Sequence, residues 1–348
     1  MEITPDMEET ARDGAEATPD AGKSTSDAEA AAPVADAPPA ADPWPGHFAA
    51  QGYPGARLIG AGVEGVVYRL GGGRVAKVWH GRPPGGPELL RAVYADLARH
   101  RLPFATPEIL EITQHRGVLV TYERELPGAP VRGDSAHQPY GRGIPARDRD
   151  ALLAVLRGLA AVPGTDAMRR LTVQGDDRPL WRDHDRFQDA LAALVVRAVD
   201  RHGTDLAGYV PGFGPGVRRT LDALRSLPDA PVTAVHGDLV PPNLHTDAAG
   251  RPVAVLDLGF FTTAGDPAFE AAVAASVWDM YGPYAEEHAA ELTRLVAGEF
   301  GYAPATLAAY QAAYALTTYD LFGRDDRDGH FRWCAGQLRR NAVFQGRT

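Results

Sequence analysis

The sequence predicts an α+β fold of two lobes: a small antiparallel sheet, then a larger and mostly helical part. Three observations lead to it. Residues 46–80 and 106–126 fall into short β-like runs separated by Gly- and Pro-containing turns, the pattern of strands joined by hairpins. Residues 146–228 and 267–344 carry apolar side chains that recur at three and four, the period of amphipathic helices. Between those helical stretches, residues 232–270 hold two short apolar runs around a polar loop. The chemistry-bearing residues collect in and just after that loop.

A chain of 348 residues is long enough for two domains of ordinary size. Its 45% hydrophobic and 23% charged content suits a soluble globular protein. Cys334 is the only cysteine, so no intrachain disulfide can form, and a reducing, cytoplasmic setting is expected. It lies in a helical segment and reads as a packed thiol rather than a nucleophile. No run approaches the roughly 18–20 apolar residues of a membrane span, and the acidic N-terminus lacks the apolar stretch of a signal peptide. Residues 1–43 stand apart, being built from Ala, Pro, Asp, Glu, Ser and Thr. Eleven acids against Arg12 and Lys23 give them a net charge of −9 out of the chain's −10. Such a segment cannot bury enough apolar area to offset its ordering entropy, so a disordered acidic tail is expected. The near-neutral remainder argues against nucleic acid, which requires a basic face. Nothing in the sequence points to a protein partner.

Residues 44–127 are expected to form the small lobe. A-R-L-I-G-A-G-V-E-G-V-V-Y-R-L reads as strand, glycine loop, strand, and R-V-A-K-V-W follows a G-G-G turn as a third strand. The glycines Gly60, Gly62 and Gly65 make a G-x-G-x-x-G. A dinucleotide-binding version of that motif must open a helix. Here it runs into a second strand and a glycine turn, so its backbone is expected to lie over nucleotide phosphates as a lid. Lys77, in V-A-K-V, is then the residue that meets the α- and β-phosphates. Its ion-pair partner is expected on the next helix, with Glu88 preferred over Asp96. T-P-E-I-L-E-I-T and G-V-L-V-T-Y-E-R complete a five-stranded lobe. The chain crosses to the second lobe near Pro127-Gly128, where backbone groups around Glu123 and Glu125 are expected to bond an adenine edge.

Residues 128–348 form the larger expected lobe. A Gly-, Pro- and Arg-rich loop spans 130–145, three helical segments run from 146 to 228, and four more occupy 267–281, 284–300, 304–323 and 329–344. Between these groups lies H-G-D-L-V-P-P-N, a strand, and D-L-G. H-x-D-x-x-x-x-N followed by a strand and D-x-G is the order that phosphoryl transfer needs. Asp238 would meet the attacking hydroxyl, and Asn243 with Asp257 would hold magnesium against the phosphates.

Taken together, G-A-G-V-E-G, V-A-K-V, H-G-D-L-V-P-P-N, L-D-L-G and G-D-P-A-F-E resemble the aminoglycoside phosphotransferase family of small-molecule kinases. The resemblance covers residues 55–345 and is strongest over 235–270. It implies a bilobal, protein-kinase-like fold with ATP or GTP and Mg2+ in the cleft. By position it makes Asp238 the catalytic base, Asn243 and Asp257 the metal ligands, and Lys77 the phosphate-binding lysine. It makes Asp266 a structural acid before a helix and His236 a residue that packs the loop. Gly237 and Val240 stand where protein kinases place Arg and Lys, and no A-P-E follows the D-x-G. Pro242 and Glu270 stand where this family commonly has Gly and Asp, which marks a divergent branch.

The expected function is ATP-dependent phosphorylation of a hydroxyl on a small molecule, an antibiotic or other specialised metabolite, in resistance or self-protection. A metabolic sugar, choline-like or amino-alcohol kinase is the alternative. A nucleotide-binding pseudokinase is disfavoured because Lys77, Asp238, Asn243 and Asp257 are all in place. Asp325, Asp326 and Asp328, with Asp320 a turn earlier, are candidate contacts for a cationic acceptor. Removing residues 1–43 is expected to leave the melting temperature unchanged. A loss of several degrees in a thermal melt would instead show that the tail packs on the rest.

Overall fold

The computed structural model describes residues 42–83, 85–323 and 329–347. The expected tail therefore lies outside the described residues except for Asp42 and Pro43, and residues 44–348 form one compact unit. The unit opens with α1 (Trp44–Ala50), a helix where the sequence pattern gave only β-like runs and turns. Seven residues containing Pro and Gly carry almost no helical signal of their own. What holds them is Phe48, fully buried against the sheet that follows.

That sheet has the strand order β1-β2-β3-β5-β4 and is antiparallel throughout. Its strands are β1 (Arg57–Ala61), β2 (Gly65–Gly71) and β3 (Arg74–Trp79), then β4 (Ile109–His115) and β5 (Val118–Arg124), with helix α2 (Pro87–Ala98) inserted after β3. Alternation along the strands sorts side chains between two faces. Tyr68, Leu70, Ala76, Val78, Val120 and Tyr122 turn to the face covered by α1 and form a separate small core with Phe48. The alternate residues Val67, Val75, Lys77 and Glu123 turn to the opposite face and line a cleft. Register places Lys77 beside Val67 on one neighbour and Thr121 on the other.

The rest of the chain is helical around two small sheets. After β6 (Ala129–Pro130) come α3 (Ala146–Ala160), α4 (Asp166–Arg169), α5 (Phe187–Ala207) and α6 (Phe213–Ser226). The strands β7 (Thr233–Val235), β8 (Leu244–Thr246), β9 (Pro252–Val255) and β10 (Thr263–Gly265) follow, β7 pairing with β10 and β8 lying between β6 and β9. The chain closes with α7 (Pro267–Val277), α8 (Ala285–Phe300), α9 (Pro304–Thr318), α10 (Gly329–Arg340) and α11 (Ala342–Gln345). The helix expected over 329–344 is broken at Asn341. Its side chain accepts from Phe344 N–H at 2.9 Å and donates to Ala308 O at 2.7 Å, so it caps α11 and ties it to α9. From Ala268 onward α7 is buried on every side, as its Ala-rich sequence permits, and packs on α8 and α9.

One hydrophobic core joins the sheet's inner face to the helices. It runs from Trp79 and Leu119 through α2 (Leu90, Val93, Tyr94, Leu97) to α3, α5, α7 and α9. A backbone link reinforces it: Ala105 bridges Ala254 of β9, with Ala105 N–H on Val253 O at 2.8 Å and Val255 N–H on Ala105 O at 3.0 Å. Among the described residues no helix is long and apolar enough to cross a membrane. Because Phe48 is the residue through which α1 covers the sheet, Phe48→Ala is expected to destabilise the protein by about 3 kcal/mol. Urea unfolding measures this, and a change below about 1 kcal/mol would mean that α1 does not support the sheet.

Candidate active site

Two loops leave strand ends on the helical side and meet the inner face of the sheet. The first leaves β7 as His236-Gly237-Asp238 and closes through a single 3-10 turn, Pro241–Asn243. The second leaves β9 as Leu256-Asp257-Leu258-Gly259. Leu256 N–H donates to Asn243 O at 2.9 Å, so the loops are stitched to one another.

Glu270 holds the first loop from below. Its Oε2 accepts the backbone N–H groups of His236 at 2.8 Å and Gly237 at 2.9 Å. His236 is fully buried, and burial holds its imidazole below the ordinary pKa and so neutral. Its Nε2–H donates to Leu256 O at 2.7 Å and its Nδ1 accepts Asp238 N–H at 3.2 Å. The ring thus braces the loop, as expected of it, rather than facing a substrate. Gly237 has φ +75°, and a Cβ there would lie 2.5–2.9 Å from Phe261 side-chain and backbone atoms. Only glycine fits both conditions. Asp266 caps α7 by accepting Ala268 N–H at 2.8 Å, and it also accepts the Tyr310 hydroxyl at 2.6 Å.

Asp238 and Asn243 face one another across the turn. Asn243 Nδ2 donates to Asp238 O at 2.9 Å and lies 3.5 Å from Asp238 Oδ2. The Asp238 carboxyl is pushed up to about 8, chiefly by burial and then by the charges of Asp257, Glu64 and Glu270, against the lowering effect of the Asn243 amide. Asp257 sits at φ +54° with its carboxylate more than half exposed. Its Oδ1 accepts from Lys77 Nζ at 3.1 Å.

Lys77 links the sheet to these loops. Its ammonium also donates to Glu64 Oε2 at 2.6 Å and lies 4.1 Å from the ring centre of Trp79. Burial alone would lower its pKa, but the Asp257 and Glu64 carboxylates outweigh burial and leave it raised. Behind it runs a buried chain in which Trp79 Nε1–H donates to Thr121 Oγ1 at 3.0 Å and the Thr121 hydroxyl donates to Glu123 Oε1 at 2.6 Å. Burial also raises the Glu123 carboxyl.

The structure does not bring Glu88 to Lys77. The apolar stripe of α2 is Leu90, Val93, Tyr94 and Leu97, and at 100° per residue position 88 falls on the opposite, solvent side. Glu88 is 74% exposed and lies 3.6 Å from Arg91, while Asp96 pairs with Arg99. Tyr94 instead turns to the cleft and donates to Leu258 O at 3.2 Å. The sequence reading missed both Tyr94 and Glu64. The first was legible as a tyrosine on the core stripe, whereas an acid inside a glycine loop carries no such signal.

Gly60 lies in β1 and Gly65 opens β2, and the short turn between the strands is closed by Gly62 N–H on Gly65 O at 2.9 Å. A Cβ at Gly65 would lie 2.1 Å from Val78 O, whereas Gly60 and Gly62 face open space. At the rim, Glu125 pairs with Arg69 at 2.5 Å and its N–H donates to Gly73 O at 2.9 Å, so that amide is not offered to a purine. Glu123, Leu126, Gly128 and Leu256 line the same cleft. A second cleft on the other side of Glu64 is lined by Val63, Trp79, Arg82 and residues 172–176. Of the expected acceptor contacts, Asp325, Asp326 and Asp328 lie outside the described residues. Asp320 is turned inward, 10% exposed and 3.9 Å from His202.

Among the described residues no group of three His, Cys, Asp or Glu side chains could hold a metal. Asn243 and Asp257 nonetheless provide hard oxygen donors of the kind Mg2+ takes when phosphates and water complete its shell.

A model of the phosphotransferase enzyme family matches residues 55–324. No curated protein matches the sequence. Among solved structures, the chain is similar to the aminoglycoside phosphotransferase APH(4)-Ia in ternary complex with ADP and hygromycin B. The TM-score is 0.59 at 20% identity, covering 86% of this chain and 97% of that one. It is similar also to the GDP complex of aminoglycoside 2'-phosphotransferase-IIIa, with TM-score 0.53, 15% identity, and 87% and 96% coverage. A third likeness is to macrolide 2'-phosphotransferase type I, with TM-score 0.51, 20% identity, and 84% and 94% coverage. At these identities the three likenesses establish a shared fold, the two-lobed kinase-like architecture. The family match spans well over half of the chain, and the chain therefore belongs to the phosphotransferase enzyme family.

Proposed function

We propose that this phosphotransferase moves the terminal phosphoryl group of ATP or GTP to a hydroxyl of a small molecule, an antibiotic or another specialised metabolite. The observation that carries the reading is the convergence of Lys77, paired to Asp257 at 3.1 Å, on a loop that presents Asp238 beside Asn243. An ammonium and a glycine loop suit phosphates, and a carboxyl placed beside Asn243 suits a group that takes a proton from an alcohol once a metal cation offsets the neighbouring acids. The neighbours' complexes with ADP, GDP and hygromycin B are consistent with this chemistry on the shared fold.

The cleft lined by Val67, Val75 and Leu256 would hold the nucleotide, with Lys77 available to its phosphates. Asn243 and Asp257 would hold Mg2+, which neutralises charge developing on the phosphates. Asp238 orients the acceptor hydroxyl and takes its proton as the oxygen attacks phosphorus. Glu270 and His236 keep Asp238 in place through the backbone. The test is nucleotide consumption with Mg2+ across aminoglycosides, macrolides, nucleoside antibiotics and amino alcohols, with mass spectrometry of each acceptor. One acceptor gaining a phosphoryl group supports the reading. Nucleotide consumed with every acceptor unmodified would contradict it.

The two carboxylates should fail differently. Asp257→Asn is expected to weaken Mg–nucleotide binding and abolish turnover. Asp238→Asn keeps the side chain's shape and should bind Mg–nucleotide almost normally while losing roughly 10²–10⁴-fold in turnover. Calorimetry beside steady-state kinetics reads both quantities, and the opposite pattern would reverse the assignments.

Glu270 yields a pH signature. Burial raises its carboxyl from the ordinary 4.5 to about 7, against the lowering effect of the two backbone N–H groups. The unfolded chain gives up this proton first, so the contribution to stability is full below about 4.5 and is lost as pH rises toward 7. Glu270→Gln should remove that slope, so wild type loses stability relative to the variant across this window. Urea unfolding at several pH values checks this, and parallel curves would mean that Glu270 ionises normally.

A further inference from the structure

Glu64 stands at the tip of the glycine loop, in a position with no assigned part in the transfer. Its backbone is fixed, since His80 N–H donates to Glu64 O at 2.9 Å. Its side chain meets Lys77 of β3 and the Gly259 loop. Oε2 accepts from Lys77 at 2.6 Å, and the carboxylate rests on Gly259 so closely that a Cβ there would lie 2.8 Å from Oε1. Only 20% of the Glu64 side chain is exposed, and only 10% of that of Lys77. Of the two carboxylates on the ammonium, Glu64 is the closer and the more buried, and Asp257 lies 3.1 Å away with 57% of its side chain exposed.

A phosphate that reaches Lys77 must displace one of these two anions, because a buried ammonium flanked by two carboxylates has little room for a third partner. Asp257 would be an oxygen donor to a metal accompanying the phosphates, which favours its staying. Glu64 lines the neighbouring cleft formed with Val63, Trp79 and residues 172–176, where Arg82 offers a cation. It therefore has both a reason to leave and a place to go. We propose that Glu64 is a built-in competitor of the nucleotide phosphates. It latches the glycine loop to Lys77 and the Gly259 loop before nucleotide binds, and it must be displaced for the phosphates to seat. The proposal rests on the phosphotransferase reading of the cleft. Its consequence is that the chain holds its own nucleotide affinity below what the cleft would otherwise give. The effect acts only through phosphates and leaves the base and ribose untouched.

The experiment compares wild type and Glu64→Gln by calorimetry, with a non-hydrolysable ATP analogue plus Mg2+ and, separately, with adenosine. Gln keeps the length and shape of the side chain but gives up its charge. The expected result is that Glu64→Gln binds the Mg–analogue tighter by up to about tenfold, the worth of one partly buried charge-assisted hydrogen bond. Adenosine should bind the two proteins alike, which also shows that the variant is folded. Equal or weaker binding of the analogue by Glu64→Gln overturns the proposal, since Glu64 would then be neutral or a phosphate-side ligand. An equal gain for adenosine also overturns it, because the substitution would merely have opened the cleft. A wild type that binds adenosine but gains nothing from the phosphates would overturn the phosphotransferase reading, and the proposal with it.

Discussion

The ammonium of Lys77 is the constraint on which the site depends. Taking a cation out of water costs several kcal/mol unless opposite charges surround it, and here they come from two different parts of the chain. Asp257 belongs to the loop after β9 and Glu64 to the loop between β1 and β2, so a single buried charge fixes the sheet's inner face against the helical side. The face of Trp79 and the buried Thr121–Glu123 pair complete its surroundings. Since β-strand alternation puts Lys77 and Glu123 on one face and Ala76 and Tyr122 on the other, a one-residue slip in β3 would send the lysine into the α1 core.

The loop that carries Asp238 is held by backbone contacts rather than by its own side chain. Glu270 takes two amides, His236 bridges to Leu256 O, and Gly237 passes close under Phe261. The carboxyl of Asp238, proposed above as the base, takes no part in these backbone contacts. It sits where burial and the neighbouring carboxylates Asp257, Glu64 and Glu270 all oppose its ionisation. A cation entering among these acids would relieve part of that repulsion, so a bound metal ion would favour ionised Asp238. This separates two tasks that a single exposed aspartate would have to combine.

Much of this was legible in the sequence, for identifiable reasons. The five strands of the small sheet followed from alternation and turn residues, and the polar positions 238, 243 and 257 followed from their order and spacing. What could not be read depended on tertiary contact. Helix α1 exists because Phe48 finds Tyr68 and Tyr122, which no seven-residue window encodes. The partner of Lys77 was sought on α2 at Glu88, yet the same periodicity that identifies the helix turns Glu88 outward and Tyr94 inward. Glu64 was passed over because an acid within a glycine loop reads as solvated until the loop is folded over Lys77. Asn341 breaks a segment that reads as one continuous helix, because its amide bonds to Ala308 on a neighbouring helix.

Lys77, paired to both Glu64 and Asp257, is the proposed phosphate anchor around which both lobes are arranged. The most direct measurement is equilibrium binding of a non-hydrolysable Mg–nucleotide to Lys77→Met, a substitution that keeps the long apolar stem and removes the charge. The expected result is a folded protein that still binds adenosine but has lost at least about tenfold in affinity for the Mg–nucleotide. A Lys77→Met protein that binds Mg–nucleotide as tightly as wild type would contradict the account.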